Sequence, residues 1–198
     1  DKVSDNIPCT QIVIDEEVAG YTAVEHLINA GKSRIAIIKE TENSYNSEKR
    51  FAGYQKALKE YNIPLDDKII LSTENISLNK GIEMANILLS LKHRPDAIFA
   101  ITDSAAIGVI KALKKQNIVI PNDIAIVGFS NSLSSTIIDP PLSTIDQPGS
   151  SIGRTALTYL VDEIENPKET QLTKTVEIQT NIIVRASSFP QERIQNIN

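Results

Sequence analysis

The feature that most constrains the fold is a regular alternation of short β-branched runs with longer segments of helical spacing. The runs lie at 11–14 (QIVI), 34–38 (RIAII), 68–71 (KIIL), 97–101 (AIFAI) and 124–127 (IAIV). From the second run onward the starts are 34, 29 and 27 residues apart, about the length of one strand–helix unit. Because these runs are almost wholly apolar, they suit a parallel sheet that is buried on both faces.

The segments between the runs predict amphipathic helices. Phe51, Tyr54 and Leu58 fall on one face of one such segment. Ser77 and Asp103 stand where the N-caps of the next two helices are expected. Strands that alternate with helices of this length are typical of a doubly wound α/β fold.

The rhythm changes after Phe129. A polar loop leads to a short run at 143–146, and a helix is predicted from about residue 150 to residue 165. Two last runs, 175–178 and 182–184, flank the turn-forming residues QTN and are placed to pair with each other as strands.

Charge and composition argue against several classes of protein. Twenty basic and 25 acidic side chains give a net charge of −5, which disfavours a nucleic-acid-binding surface on these residues. No apolar run approaches the roughly 18–20 residues that a membrane helix needs. The single cysteine, Cys9, cannot form an internal disulfide, which fits a reducing compartment.

The sequence contains no complete catalytic or metal-binding motif that would support an enzyme. The sequence GSSIG at 149–153 matches G-x-S-x-G, but both histidines, His26 and His93, precede Ser151, whereas hydrolase order places the histidine after the serine. The phosphate-binding glycine motifs do not occur, and two distant histidines with one cysteine make no metal cluster. We therefore expect neither catalysis nor a cofactor, and we interpret His26 as a structural contact on a helix.

Polar side chains follow the predicted strands at their carboxyl ends, where ligands bind in open α/β sheets. They are Arg50, Thr102, Asp103 and Ser130, and the aromatic Phe129 lies beside them in the sequence. An aspartate accepts hydrogen bonds from neighbouring hydroxyls, an arginine donates in a fork, and an aromatic ring supports the apolar face of a sugar. From the residues alone, a surface salt bridge for Arg50 and a helix cap for Asp103 are equally open.

Several ordered stretches share one set of motifs. They are D-x-x-x-A-G at 15–20, EHLI at 25–28, G-x-x-R-I-A at 31–36, R-x-x-G-[YFW] at 50–54, a stretch at 100–108 that resembles A-x-[ND]-D-x-x-A-x-G with Thr102 at the [ND] position, P-x-D-[IV] with G-[YF] at 121–129, and PxL[ST]T[IV] with QP at 140–148. In these motifs the chain resembles the effector-binding domain of the LacI/GalR family of bacterial transcriptional regulators. The matches cover roughly residues 1–188.

The resemblance implies a periplasmic-binding-protein-like fold of two Rossmann-like subdomains. It places residues 34–146 in a complete C-terminal subdomain and residues 1–33 in a partial N-terminal subdomain. A returning helix and strand at 147–178 would belong to the N-terminal subdomain, and 179–198 would supply the last strand of the C-terminal subdomain and a tail. The helix-turn-helix and the first strands of the N-terminal subdomain would precede this stretch.

The same resemblance implies a cytoplasmic homodimer that senses a small metabolite, with a sugar as the expected class. The effector would bind in the cleft between the subdomains and control operator binding allosterically, through the helix-turn-helix and without a membrane partner. Dimerisation is expected through surfaces that include the helix from Ser104 to about Gln116. A periplasmic sugar-binding protein of a transporter shares this fold and is the alternative.

The family's effector-binding positions carry over to eight residues of this chain. They are Arg50, Asp103, Thr102, Phe129, Ser130, Tyr45, Asn46 and Ile76. Many members carry an aspartate directly after the G-[YF] pair, where this chain has Ser130 followed by Asn131. Ile76 stands where some relatives place an aromatic platform.

Overall fold

The computed structural model describes residues 9–41, 44–166 and 174–189. The strands are β1 (Gln11–Val13), β2 (Ile35–Glu40), β3 (Ile70–Thr73), β4 (Ala97–Ala100), β5 (Ala125–Ser130), β6 (Ser143–Asp146), β7 (Thr175–Glu177) and β8 (Asn181–Ile183). The helices are α1 (Glu16–Asn29), α2 (Tyr45–Glu60), α3 (Leu78–Ser90), α4 (Asp103–Lys115), α5 (Leu133–Ile137) and α6 (Gly149–Glu165). A single 3₁₀ turn, Asp67–Ile69, leads into β3.

Six of these strands form the main sheet, in the order β3-β2-β4-β5-β6-β8. The neighbouring pairs from β3 to β6 are parallel, and β8 pairs with β6 in the antiparallel sense. This arrangement confirms the α/β fold that the alternation of runs predicts. The carboxyl ends of the five parallel strands consequently meet at one edge of the sheet.

Buried strands of the main sheet present alternate side chains to two helical layers. Ile35 and Ile37 of β2 pack in the same apolar cluster as residues of α1 and α2, whereas Ala36 and Ile38 pack with residues of α3 and α4. Because helices cover both faces of the sheet, apolar residues are needed at every position of such a strand. This requirement explains why the runs are continuous rather than alternating.

Helix α1 packs on the main sheet beside α2, although the sequence places residues 1–33 in a different subdomain. Ala19, Ala23, Val24 and Leu27 are fully buried in the cluster that α2 and the sheet form. The boundary predicted after residue 33 is wrong for this helix. The physical reason is that the apolar stripe of α1 needs a large apolar face to cover, and this face of the sheet provides one.

Two glycines bring α1 and α2 into close contact. A Cβ atom on Gly20 would clash with the backbone oxygen of Arg50, and one on Gly53 would clash with the backbone oxygen of Glu17. The glycine of the R-x-x-G motif therefore lets the two helix backbones touch. This contact fixes the position of Arg50, within α2, relative to α1.

The N-cap of α4 is Thr102, not Asp103 as the sequence predicts. The Thr102 hydroxyl accepts a hydrogen bond from the backbone N–H of Ala105 at 3.3 Å. Asp103 is the first helical residue, and its carboxylate is turned to other partners. The other predicted cap is confirmed, because the Ser77 hydroxyl accepts from the backbone N–H of Lys80.

The two last strands do not pair with each other, which corrects the sequence prediction. Strand β7 pairs in parallel with β1, with Gln11 opposite Thr175, in a separate two-stranded sheet. Strand β8 joins the edge of the main sheet, where Ile182 packs against the buried core. Ile182 would lack this apolar contact in an isolated hairpin, and such hairpins are marginal in water.

Helix α6 follows the main sheet and contains no fully buried residue. Ile152 near its start packs against the core, whereas Leu157, Leu160 and Ile164 are more than half exposed. The part of the chain that the structure describes contains no helix with the length and apolar character needed to cross a bilayer.

Candidate ligand-binding site

A cavity of about 440 Å³ lies at the carboxyl edge of the main sheet, beside β4 and β5. Its walls combine hydroxyl groups with apolar side chains. They are Leu78, Thr102, Asp103, Ser104, Ile107, Phe129, Ser130, Ser132 and Ser134. Four of the eight sequence-predicted residues, Thr102, Asp103, Phe129 and Ser130, therefore line one cavity.

Arg50 lies behind this cavity as a buried, fully oriented cation. Its Nε and Nη2 atoms donate to the two carboxylate oxygens of Glu16 at 2.7 and 3.1 Å, and Nη1 donates to the carbonyl oxygen of Ile101 at 2.7 Å. The guanidinium carbon lies 3.5 Å from the centroid of the Phe129 ring. The salt bridge that the sequence left open is thus present, but it is buried and not on the surface.

Asp103 is almost fully buried, and both of its carboxylate oxygens have protein donors. Oδ1 accepts from the Thr144 hydroxyl at 2.6 Å, and Oδ2 accepts from the backbone N–H of Ser132 at 2.7 Å. Burial raises the pKa of Asp103, and these hydrogen bonds counteract part of the effect. The carboxylate therefore connects α4 to β6 and to the loop after β5.

Phe129 is completely buried although it borders the cavity. One face of its ring is occupied by the Arg50 guanidinium, an arrangement that favours a cation at the negative face of the ring. The ring and the guanidinium form a rigid floor between β5 and α2.

Ser130 and Asn131 form the turn that leaves β5, and both have unusual backbone angles. The φ values are +114° for Ser130 and +51° for Asn131. The Ser130 hydroxyl donates to Oε1 of Gln147 at 2.7 Å, and the Asn131 amide donates to Oδ1 of Asp146 at 2.8 Å. These bonds connect the end of β5 to the end of β6.

The other three predicted residues do not line this cavity. Tyr45 is the first residue of α2 and is 48% exposed, with the Lys49 ammonium 5.9 Å from its ring centroid. Asn46 follows it and is half-buried. Ile76 is half-buried and packs against the apolar clusters on both faces of the sheet, so it closes the edge of the core near α3.

Sequence reasoning missed Glu16, the partner of Arg50, because the two residues are 34 positions apart. It also missed the loop serines Ser132 and Ser134, for which the polar loop after Phe129 was the available signal. Arg185, whose guanidinium donates to the Asn131 amide oxygen at 2.7 Å, had no signal in the sequence.

The structure also describes the serine of the G-x-S-x-G motif and the histidine that we interpret as a structural contact. Ser151 lies exposed on α6, and Nε2 of His26 is 2.7 Å from the Ser188 hydroxyl. Burial lowers the pKa of His26. Among the residues described, no three His, Cys, Asp or Glu side chains are grouped as metal ligands would be.

A second, larger cavity of about 700 Å³ lies between α2 and the outer edge of β3. Its buried cation, Lys39, already donates to the Glu48 carboxylate at 2.5 Å. None of the eight predicted residues lines this cavity. The cavity beside β4 and β5 is therefore the better candidate.

Comparison with known proteins identifies the family. Residues 24–188 match the model of the periplasmic binding protein-like domain. A crystal structure of a LacI transcriptional regulator from Bacillus cereus subsp. cytotoxis superposes with a TM-score of 0.85 at 32% identity, over 94% of this chain and 65% of that chain. The chain belongs to the periplasmic binding protein-like family, in its LacI/GalR branch.

Two further relatives match most of this LacI/GalR chain. The transcriptional repressor PurR of Actinobacillus pleuropneumoniae is 34% identical over 179 residues, which cover 90% of this chain and 51% of PurR. A complex of the regulator CelR with cellobiose has a TM-score of 0.83 at 27% identity and covers 91% of this chain and 54% of that chain. This LacI/GalR chain spans about half the length of the curated relatives it matches.

The curated relatives are named as repressors and control proteins of transcription, not as enzymes. The chain therefore corresponds to the periplasmic binding protein-like domain of relatives with such names.

Proposed function

We propose that this chain is the ligand-sensing and dimerisation domain of a bacterial transcriptional regulator. It binds a small metabolite, a sugar in our proposal, between two subdomains, and the bound effector changes operator binding by a helix-turn-helix elsewhere in the full-length protein. The regulator acts as a homodimer in the cytoplasm. Relatives named as repressors and a structural neighbour solved with cellobiose support this proposal.

The single observation that carries the sugar proposal is the hydroxyl-lined cavity at the carboxyl edge of the sheet. Thr102, Ser130 and Ser132 place hydroxyl groups on the cavity wall, which suits a ligand with many hydroxyls. The Ser130 hydroxyl donates to Gln147 and can still accept a hydrogen bond from a ligand. Leu78 and Ile107 add apolar surface for the carbon face of a sugar ring. A ligand with a strong negative charge is less suited, because Arg50 already pairs with Glu16.

In this proposal the main sheet is one wall of the cleft. Arg50, Asp103 and Phe129 hold the floor and the loop after β5, whereas Thr102 and Ser130 touch the effector. Tyr45, Asn46 and Ile76 belong to the outer rim at the start of α2 and before α3. The N-terminal subdomain, with β1, β7 and α6, forms the opposite wall, and β8 completes the C-terminal subdomain.

Calorimetry tests this function directly. Full-length protein is titrated with a panel of neutral sugars that includes cellobiose and ribose, and we expect at least one sugar to bind. Each lost hydrogen bond to an uncharged partner contributes about 1 kcal/mol, so Thr102→Val and Ser130→Ala should each weaken binding roughly fivefold. Thr22→Val, a change on the outer surface of α1, is the matched control and should leave affinity unchanged. Affinity that is equal in all three variants would overturn the proposed site.

Exposed apolar residues beside α4 support dimerisation. Leu133 and Ile137 lie one helical turn apart on α5 and are 77% and 74% exposed. The outward side of α4 near them carries Lys114, which pairs with Asp139. We propose that this face, α4 with α5, packs against the same face of a second copy.

A further inference from the structure

The turn at Ser130 and Asn131 has a backbone conformation that needs external support. Side chains with a Cβ rarely adopt positive φ, and a value near +114° is sterically more demanding than the left-handed helical region. Neither residue is a glycine. Such a conformation persists only where the surrounding contacts fix it.

Four hydrogen bonds surround this turn in addition to the bond from the Ser130 hydroxyl to Gln147. The Asn131 backbone N–H donates to the Thr144 hydroxyl at 3.2 Å, and the Ser132 N–H donates to Asp103 at 2.7 Å. The Asn131 side-chain amide donates to Asp146 at 2.8 Å. Nη2 of Arg185 donates to the oxygen of the same amide at 2.7 Å.

Arg185 is the member of this set that comes from a distant part of the chain. Its Nη1 atom also donates to the Leu142 carbonyl at 2.7 Å and to the Ser135 hydroxyl at 3.1 Å. In the described part of the chain, the acceptors of its guanidinium are neutral oxygens. The Asn131 amide therefore lies between the Arg185 cation and the Asp146 anion. It accepts a hydrogen bond from the cation and donates one to the anion, and each of these two bonds strengthens the other.

Arg185 also belongs to the segment that connects the two sheets. The chain passes from β7, in the two-stranded sheet, to β8, in the main sheet, through residues 178–180. Arg185 follows β8 by two residues, and its backbone N–H donates to the Ser143 hydroxyl at 2.7 Å. The segment 178–185 returns the chain to the main sheet, and Arg185 attaches this return segment to the turn after β5.

We propose that Arg185 is a positioning residue that holds Ser130 and Asn131 in their positive-φ conformation and couples the conformation of this turn to the return segment 178–185. A ligand that moves Ser130 would thereby act on the connection between the two sheets. That last consequence rests on the proposed function, whereas the coupling itself does not.

A double-mutant cycle tests the coupling without any ligand. Ser130→Ala and Ser130→Gly both remove the bond to Gln147, so their difference isolates the backbone conformation. With Arg185 present, glycine should be more stable than alanine at position 130, by about fivefold or more in the unfolding equilibrium constant. In an Arg185→Met background the turn can relax. The logarithm of the ratio between the unfolding equilibrium constants of the alanine and glycine variants should then fall to less than half of its value with Arg185 present.

Arg34→Met is the matched control for the cycle, because Arg34 forms an ion pair with Asp66 at the opposite edge of the sheet. Its effect should add to that of Ser130→Gly, as is usual for separated sites. Equal glycine advantages with and without Arg185 would overturn the positioning role.

Amide hydrogen exchange measures the coupling itself, which an arginine that only stabilises the fold would not affect. Replacing Ser130 by glycine should change the exchange rates of the Ile182 and Ile183 amides at least threefold when Arg185 is present, and should not change them in Arg185→Met. Unchanged rates in both backgrounds would refute the coupling. A positive cycle together with no sugar binding would refute only the proposed function, and the reverse pair of results would refute only this proposal.

Discussion

The guanidinium of Arg50 and the carboxylate of Glu16 are both more than 90% shielded from solvent, and together they set the position of the Phe129 ring. Removing one partner of a buried ion pair leaves an uncompensated charge, which costs about 3 kcal/mol or more. We therefore expect Glu16→Gln to lower the free energy of unfolding by ~3 kcal/mol, as measured in urea. Glu17 lies next to Glu16 in the sequence, but its side chain is 38% exposed and its carboxylate is 3.8 Å from the Lys49 ammonium. Glu17→Gln should therefore cost less than ~1 kcal/mol. Equal losses of unfolding free energy in the two variants would contradict this prediction, because they would show that burial of the Arg50–Glu16 pair makes no difference to stability.

The stability of the protein depends on pH through Asp103. Burial raises the folded-state pKa of Asp103 above its ordinary value of 3.8, so the folded protein binds more protons than the unfolded chain between those two values. The contribution of Asp103 to the free energy of unfolding consequently falls as pH rises through this window and is constant above it. Asp103→Asn removes the titration, so the stability of the wild type relative to this variant should fall over the same window.

Thr144→Val provides the companion variant for this experiment. The Thr144 hydroxyl lowers the pKa of Asp103 through its hydrogen bond, so its loss should raise that pKa and extend the window to higher pH. Urea unfolding at a series of pH values measures both effects. A wild-type and Asp103→Asn difference that is independent of pH would contradict the assignment.

The sequence predicted individual site residues where they follow a strand end, as Thr102, Asp103 and Ser130 do, because the topology of a parallel sheet brings such ends together. It did not predict the partners of these residues. Glu16 meets Arg50 only because α1 crosses α2, and the positive φ of Ser130 has no glycine to announce it. Partners of this kind depend on packing angles, which a one-dimensional pattern does not contain.

The contact of α1 with α2 depends on the absence of a side chain at Gly53. At Gly53 a Cβ atom meets backbone atoms of α1, which cannot rotate away as a side chain can. Gly53→Ala should therefore destabilise the fold by ~3 kcal/mol, because the helices must separate. Gly153, on α6, has no atom within 4 Å of an added Cβ. Gly153→Ala should instead stabilise by up to ~1 kcal/mol, since alanine is the better helix former. Urea unfolding of both variants distinguishes close packing from helix propensity.

Strand partners show the same limit of sequence reasoning for whole elements. The periodicity of 175–178 and 182–184 correctly indicated two strands, but it carried no information on which strand each would join. Proximity along the chain favoured a hairpin, whereas the available partners, β1 for β7 and β6 for β8, decided the outcome. For α1 likewise, the apolar stripe predicted a buried helix, but not the sheet on which it lies.

At the scale of the whole molecule, two exposed apolar surfaces differ in position. One is the α5 face with Leu133 and Ile137, next to α4, and the other is the α6 face with Leu157 and Ile164. They lie on different elements, so a copy that docks on one leaves the other accessible. We expect this chain by itself to self-associate through both surfaces, because each contains large apolar side chains more than half exposed.

Sedimentation velocity of surface variants separates the two modes of association. Leu157→Lys with Ile164→Lys should convert a heterogeneous mixture into a discrete dimer, because a closed two-fold contact through α5 uses the same patch on both copies and then stops. Adding Leu133→Glu with Ile137→Glu should convert that dimer into a monomer. The α5 changes alone should leave the association through α6 intact. A monodisperse monomer of the unmodified chain would contradict both expectations, and a dimer that survives the α5 changes would place the dimer contact elsewhere on the molecule.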